Sequence, residues 1–323
     1  MKFFSTIFSI ERIDGYKIIT LFGIKFRSKL IRELQQKKKD IKKINSQLLT
    51  MAKMLNWVSK PSNLPKASGK LREEQNFCLK LLLDFRNICE QNNILYWLDF
   101  GTLLGAIRHK GFVPWDSDAD VCMLREDYLK IIPLLKEYYK DTDIVVREYG
   151  YTNHFQIRIY NKINDIYGID IFVIDKYNKS YSEIKSISEL NNRVKKAVNM
   201  LKIKCKNDKA FSRNIEEVRK YINKLTNKYI LIDETNKTKE PALFFGIDYP
   251  FADPKNFIIP YERIFPLQNI EFEGEKFYCP NNIIQHIENY YGKNYMQYPT
   301  KFKINEDRID DYIEGLSNDK ISI

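Results

Sequence analysis

Apolar and polar residues alternate in two runs within residues 1–28, and a period of two is typical of β-strands. The runs flank Asp14-Gly15, a dipeptide that favours the tight turn of a hairpin. Beyond them the period lengthens, and leucine, isoleucine, methionine and valine recur at heptad positions through 30–58. The pattern therefore predicts an N-terminal β-hairpin at 1–28 and a long helix at 29–60.

Two features of the helix predicted at 29–60 have two interpretations each. Its heptad stripe fits either a helix packed on its own domain or a coiled coil through 30–58 that joins copies of the chain into a homo-oligomer. The stretch from Lys25 to Lys43 holds nine Lys and Arg residues against two acidic residues. Such a run is either a solvated helix face or a surface that contacts anionic lipid headgroups.

A stretch rich in Pro, Ser and Gly at 61–70 predicts a linker, and one larger domain follows at 71–323. Apolar and β-branched runs in this domain predict strands at Tyr96–Phe100, Asp118–Val121, Ile144–Val146, Phe155–Tyr160 and Ile166–Val173, and a hairpin at Glu271–Tyr278. Helical spacing predicts helices at Leu71–Gln91, Leu103–Arg108, Glu126–Tyr139 and Pro280–Tyr290, and recurs without a sharp motif at 180–230. This mixture predicts an α/β (α+β) domain.

The composition narrows the class of protein. Of the 323 residues 44% are hydrophobic, which supports a packed core and excludes wholesale disorder. The net charge of +11 favours anionic partners, but we expect no nucleic acid because the basic run lacks interleaved aromatic residues. Neither a membrane span nor a signal peptide is expected. The five cysteines are scattered without a Cys-x-x-Cys pair, which is typical of a reducing, cytoplasmic location.

The strongest candidate chemistry lies in residues 96–127, YWLDFGTLLGAIRHKGFVPWDSDADVCMLRED. Gly101-Thr102 follows an apolar run and opens a helical segment whose N–H groups could hold a phosphate. Asp118 and Asp120 are alternate residues of the next predicted strand, so their side chains share a face. Paired carboxylates repel each other unless a cation lies between them, and a hard oxygen site of this kind suits Mg²⁺ or Mn²⁺.

Three further aspartates are candidates for the same site. Asp170 lies in the apolar strand GIDIF and needs a partner for its burial, so we expect it to supply a third ligand from a neighbouring strand. Asp99 and Asp116 flank the site, and we expect them to support it, Asp116 by anchoring its loop through backbone N–H groups. The alternative is that Asp120 and Asp170 only cap turns.

Basic residues could bind the phosphates of a substrate. Arg108, His109 and Lys110 follow the helical segment, and Arg158 alternates with apolar residues in a predicted strand. An arginine offers bidentate contacts to a phosphate, and a lysine offers a point charge. The alternative for the three consecutive residues is a solvated loop.

A resemblance to known proteins becomes visible at these motifs. Gly-Thr followed by an Asp-x-Asp strand resembles the polymerase beta-type nucleotidyltransferase fold. The longer string GTLLGAIRHKGFVPWDSDAD resembles the LicD family of phosphocholine transferases and their fukutin-related relatives. The blocks YNK, GIDIFVID, FPLQNIEFEG and YGKNYMQYP follow in the family's order, so the likeness covers roughly residues 75–300. Where the family usually shows DDDID this chain has DSDAD, which keeps both predicted metal ligands.

The resemblance implies a fold and a reaction. It implies a polymerase beta-like mixed sheet flanked by helices, with Asp118, Asp120 and Asp170 as Mg²⁺ or Mn²⁺ ligands and Asp170 as a candidate general base. It also implies transfer of phosphocholine from CDP-choline to a hydroxyl of a bacterial surface glycan or glycolipid, with release of CMP. We expect such an enzyme at the inner face of the cytoplasmic membrane. The alternatives are a nucleotidyltransferase that attaches NMP and releases pyrophosphate, and a non-catalytic anion- or membrane-binding scaffold.

Overall fold

The computed structural model of the chain divides into two units, 1–60 with 297–303 and 61–296 with 304–323. The structure describes residues 8–13, 16–21, 24–58, 60–147, 157–163, 166–177, 242–245, 258–298, 311–313 and 316. Among these residues no helix combines the length and the apolar character needed to cross a lipid bilayer. The helical segment expected at 180–230 lies outside the described residues.

The first unit contains strands β1 (Phe8–Ile13), β2 (Tyr16–Leu21) and β3 (Ile24–Arg27), followed by helix α1 (Ser28–Val58). The strands form an antiparallel sheet in the order β1-β2-β3, with Ile13 paired to Tyr16 across the first turn. The predicted hairpin and long helix are thus confirmed, and β3 is an additional strand that the sequence pattern did not separate. The turn residues at 14–15 lie outside the described residues.

The heptad stripe of α1 faces solvent where its side chains are described. Ile41, Ile44, Met51 and Leu55 are exposed, from 45% for Leu55 to 64% for Met51. Exposed apolar side chains contribute no hydrophobic stabilisation. A stripe of this kind is the surface that a partner helix buries in a coiled coil, and the coiled coil through 30–58 stays a prediction.

The described elements of the second unit include the predicted ones in their predicted order, together with strands at 242–245 and 258–259 and a helix at 261–264 that the sequence pattern did not predict. They are, in chain order, a 3₁₀ turn (Pro61–Asn63), α2 (Gly69–Gln91), β4 (Trp97–Leu98), α3 (Phe100–His109), β5 (Ala119–Leu124), α4 (Arg125–Tyr138), β6 (Ile144–Arg147), β7 (Ile157–Asn161), β8 (Ile166–Tyr177), β9 (Ala242–Phe245), β10 (Ile258–Ile259), α5 (Tyr261–Ile264), β11 (Gln268–Phe272), β12 (Glu275–Cys279) and α6 (Ile283–Tyr291).

Seven of these strands form one mixed sheet, and β11 and β12 form a separate hairpin. The main path of the sheet is β10-β9-β8-β5-β4, with β7 paired to β8 and β6 paired to β7. Only β5 and β8 pair in parallel among the described strands, and the remaining ladders are antiparallel. The predicted α+β architecture with a mixed sheet flanked by helices is therefore confirmed.

Alternate residues of β5 and β8 pack into two different hydrophobic clusters. Val121 and Ile171 belong to the cluster that also holds the buried residues of α2 and α4. Cys122 and Phe172 belong to a second cluster on the opposite face, with residues of β9, β10 and α5. Because side chains alternate between faces, both strands are buried on both sides over most of their length.

One predicted strand is shorter than expected. The apolar run at Tyr96–Phe100 predicts five strand residues, but β4 covers only Trp97 and Leu98. The Asp99 carboxylate accepts a hydrogen bond of 2.8 Å from the Phe100 N–H, and this N-cap starts α3 at Phe100. An aspartate that interrupts an apolar run therefore acts here as a helix-start signal.

Candidate active site

The parallel pairing of β5 and β8 brings the predicted ligands together. Asp120 of β5 lies directly opposite Asp170 of β8 in the register of the ladder, so both side chains leave the same face of the sheet. Asp118 precedes β5 and shares the parity of Asp120. Carboxylate oxygens of Asp118, Asp120 and Asp170 all lie within 4.8 Å of one another. We call these three residues the acid cluster.

The start of α3 is joined to Asp120 by three hydrogen bonds. The Gly101 N–H donates to Asp120 Oδ2 at 3.2 Å, and the Asp120 N–H donates to Thr102 Oγ1 at 2.7 Å. The Asp99 N–H donates to the Asp120 carbonyl at 3.1 Å. Gly101 and Thr102 are predicted to bind phosphate; in this structure Gly101 contacts the Asp120 carboxylate and Thr102 contacts the Asp120 backbone.

The backbone at Gly101 also lies close to two carboxylate side chains. A Cβ at this position would lie 2.8 Å from Asp116 Oδ2 and 3.5 Å from Asp120 Oδ2. The first distance is shorter than real Cβ contacts allow, so any side chain at 101 would displace Asp116. The glycine therefore allows the helix start to approach the carboxylates closely.

The acid cluster is electrostatically strained without a cation. Burial raises the pKa of Asp120 well above its ordinary value, and the charges of Asp118, Asp170 and Asp116 raise it further. The Gly101 N–H opposes this shift only in part. Three carboxylates that share so small a space fit a divalent cation that prefers oxygen ligands, such as Mg²⁺ or Mn²⁺.

Asp99 supports the helix start from a fully buried position. Its Oδ1 accepts from the Phe100 N–H and lies 2.9 Å from His286 Nε2, and its Oδ2 accepts from Trp97 Nε1 at 3.1 Å. Burial raises the pKa of Asp99, but His286 and the Phe100 N–H lower it more, so the net pKa lies below its ordinary value. The expected supporting role of Asp99 therefore has a structural basis.

Asp116 lies beside the acid cluster rather than within it. Its N–H donates to the Val113 carbonyl at 2.9 Å, and its own carbonyl accepts from Gln75 Nε2 at 2.8 Å. Its carboxylate contributes to the raised pKa of Asp120. These contacts hold the backbone of the loop before β5, and the anchoring role of the Asp116 side chain stays a prediction.

The basic residues lie at the opposite end of α3 from Gly101, about 10 Å along the helix axis at 1.5 Å per residue. Arg108 is only 7% exposed, and it donates to the Tyr295 carbonyl at 3.0 Å and to His109 Nε2 at 2.9 Å. Burial, followed by the Arg108 charge, lowers the pKa of His109 to about 4. Lys110 is exposed and ends the helix in the left-handed conformation. The phosphate-binding role of these basic residues stays a prediction.

Arg158 is placed close to the acid cluster by strand pairing. Its backbone in β7 lies directly opposite Asp170 in the antiparallel register with β8. Contact between this residue and an anion held at the carboxylates stays a prediction.

Sequence reasoning did not single out two other residues near the site. His286 is fully buried against Asp99 although 187 positions separate the two residues along the chain. Tyr291 is the last residue of α6. The pKa of its hydroxyl is raised, first by burial and then by the negative charges of Asp120 and Asp116. No local motif marks His286, whereas Tyr291 opens the block YGKNYMQYP, which served above only as part of the resemblance.

Two aspartates on a parallel strand pair and a third directly before it, beside a helix start in a mixed sheet, are consistent with a nucleotidyltransferase-like domain. Residues 93–197 match the family described as LicD/FKTN/FKRP, nucleotidyltransferase domain. The residues that carry the motifs therefore match a LicD-family domain, as their resemblance predicted. The match contains the whole acid cluster and all of α3, whereas α2, the β11–β12 hairpin and α6 lie outside it.

Individual relatives extend this comparison. The lipopolysaccharide cholinephosphotransferase LicD of Haemophilus influenzae is 29% identical over 256 residues, which cover 71% of this chain and 92% of that protein. An uncharacterized protein of Rickettsia prowazekii is 32% identical over 102 residues, 32% of this chain and 35% of the relative. The human ribitol 5-phosphate transferase FKRP is 45% identical over 40 residues, 12% of this chain and 8% of FKRP.

Proposed function

We propose that this protein is a phosphotransferase that moves a phosphate-linked substituent from a CDP-linked donor to a hydroxyl of a bacterial surface glycan or glycolipid. The convergence of three carboxylates within 4.8 Å is the observation that carries the proposal. The similarity to a lipopolysaccharide cholinephosphotransferase over 92% of that protein supports CDP-choline as the first donor to test, with CMP as the product released.

We further propose that Asp118, Asp120 and Asp170 hold Mg²⁺ or Mn²⁺. A bound divalent ion would neutralise the charge of the phosphate group and position its oxygens. The raised pKa of Asp120 supports this proposal, because a carboxylate crowded by other carboxylates is stabilised in its charged form by a cation.

The protein's own residues have distinct tasks in this proposal. Gly101 and Thr102 orient Asp120 through their hydrogen bonds, and the ladder between β5 and β8 sets its distance from Asp170. Asp170 is the candidate general base that accepts the proton of the acceptor hydroxyl. Arg158 is the candidate contact for a donor phosphate, since its strand position adjoins Asp170.

The proposal is tested with the purified full chain and a panel of CDP-linked compounds in the presence of Mg²⁺. We expect release of CMP with at least one member of the panel, and loss of that release in Asp120→Asn. Pyrophosphate release from a nucleoside triphosphate would instead support the nucleotidyltransferase alternative. An absence of both products together with an absence of Mg²⁺ or Mn²⁺ binding would support the non-catalytic scaffold.

We propose two partners for helix α1. Its exposed heptad stripe suits a second copy of the chain, joined through a coiled coil over 30–58. Its exposed lysines, which include Lys37 and Lys43, suit the anionic inner face of the cytoplasmic membrane. Sedimentation with anionic vesicles that weakens steeply with added salt would support the membrane contact, whereas equal sedimentation with neutral vesicles would contradict it.

A further inference from the structure

Gln75 of α2 is buried with all of its polar atoms engaged, and it contacts the loop that leads to the acid cluster. The side chain is 1% exposed. Its Nε2 donates to the Asp116 carbonyl at 2.8 Å and to the Pro114 carbonyl at 3.3 Å. Its Oε1 accepts from Arg72 Nη1 at 3.0 Å. A buried amide with every donor and acceptor used fixes the backbone that it contacts.

The loop that Gln75 contacts leads to Asp118, the one member of the acid cluster that lies outside the sheet. Asp120 and Asp170 belong to strands, and the ladder of β5 and β8 pairs them directly. Asp118 lies one residue before β5, outside that ladder. Its position therefore depends on residues 114–117, where Gln75 holds two carbonyl groups and the turn from Val113 to Asp116 adds one hydrogen bond of 2.9 Å.

The same network holds the other end of the loop. Arg72 makes two hydrogen bonds with Glu273 of the β11–β12 hairpin, at 2.7 and 3.2 Å. Glu273 also accepts from the Phe112 N–H at 3.2 Å, and its own N–H donates to the Lys110 carbonyl at 2.9 Å. Arg72 thus connects Glu273, which holds the loop near residues 110–112, with Gln75, which holds the loop at residues 114–116.

We infer that Gln75 is a positioning residue for the metal site, which sets the place of Asp118 relative to Asp120 and Asp170. This inference rests on the proposed metal-binding role of the three aspartates. Gln75 contacts the backbone of the loop that precedes Asp118, so it would shape the metal site without touching the ion. Residues that orient metal ligands in this way typically change metal affinity or activity by about 10- to 100-fold when they are replaced.

Two substitutions separate the hydrogen bonds of Gln75 from its volume. Gln75→Glu keeps the shape but replaces the two N–H donors with an oxygen that faces two carbonyl groups. Gln75→Met keeps the length and the apolar contacts but removes every polar atom, and it serves if the Glu variant does not fold. Asp175→Asn is the matched control, because Asp175 lies on the same strand β8, five residues beyond Asp170, and the change removes the charge from its buried ion pair with Arg125.

The experiment measures Mn²⁺ binding to each full-length variant by calorimetry, at a temperature where melting curves show it folded. We expect the Mn²⁺ dissociation constant to rise about 10- to 100-fold in the Gln75 variants and to change less than twofold in Asp175→Asn. Unchanged Mn²⁺ affinity in a folded Gln75 variant would overturn the inference, and so would equal weakening in the control.

Asp120→Asn separates this inference from the proposed function. If Asp120→Asn abolishes Mn²⁺ binding while the Gln75 variants bind normally, only the positioning role is wrong. If the wild-type chain binds no Mn²⁺, the proposed metal site and the inference built on it are both wrong.

Discussion

Asp120→Asn should raise the stability of the metal-free protein and abolish its activity. The substitution keeps the size of the side chain and leaves an oxygen that can accept from the Gly101 N–H. It removes one negative charge from the acid cluster. The two effects have opposite signs because the charge that repels other carboxylates is the charge that a metal ion needs.

The size of the stability effect follows from the spacing of the cluster. Two unit charges 4.8 Å apart repel each other by about 3.5 kcal/mol at an effective dielectric constant of about 20. Solvent screening at the partly exposed Asp118 and Asp120 reduces this to on the order of 1 kcal/mol. A gain of that size corresponds to a rise of about 2–4 °C in the melting temperature of a domain of this length.

The pH dependence has a defined sign. The pKa of Asp120 is raised in the folded protein, so the folded state binds more protons than the unfolded state near this pKa. The metal-free wild type should therefore lose stability as pH rises from the unfolded pKa of 3.8 through the higher folded pKa. Asp120→Asn should lack this loss, so its advantage over the wild type should grow with pH.

The effect on catalysis should be much larger. Metal stabilisation of a transferring phosphate contributes several kcal/mol, and each ~1.36 kcal/mol changes the rate tenfold. CMP release should fall by on the order of a thousandfold in Asp120→Asn, and likewise in Asp118→Asn. Melting curves without metal and CMP release with Mg²⁺ are the two measurements. Near wild-type turnover in either variant would refute the proposed mechanism, and a lower melting temperature in the metal-free Asp120→Asn would refute the electrostatic reasoning.

Three further predictions concern other parts of the chain. Gly101→Ala should shift Asp116 and lower CMP release by about 10- to 100-fold. The melting temperature should change little because alanine favours the helix. Unchanged turnover would contradict the importance of the close approach at residue 101. The pKa of Glu273 is net lowered, because its cationic partners outweigh burial, so wild-type stability should fall as pH drops below 4.5 towards the lower folded pKa. Glu273→Gln should cost about 1–3 kcal/mol at neutral pH and flatten this dependence in melting curves. Ile41→Lys with Ile44→Lys should convert a homo-oligomer into a monomer by light scattering, and a wild-type monomer would contradict the coiled coil.

The sequence alone predicted most of the elements around the site and suggested its chemistry, because both inferences rest on local patterns. Alternation predicted that Asp118 and Asp120 share one face of a strand, although β5 begins only at Ala119, and the setting of Asp170 in an apolar strand marked it as a third carboxylate. The period change after residue 28 separated the hairpin from the long helix. Local patterns of this kind depend on the geometry of a single strand or helix, which one stretch of chain contains in full.

Tertiary structure decided which of these residues meet. The pairing of Asp120 with Asp170 is a matter of strand register, and nothing in either strand states its partner. His286 and Gln75 reach the site from helices far away in the chain, so they carry no motif. Packing also decides that Arg108 is buried against the Tyr295 carbonyl, which its charge does not indicate, and its phosphate-binding role stays a prediction. Contacts between distant segments form only when the whole core packs, and the chain encodes them through all of its elements together.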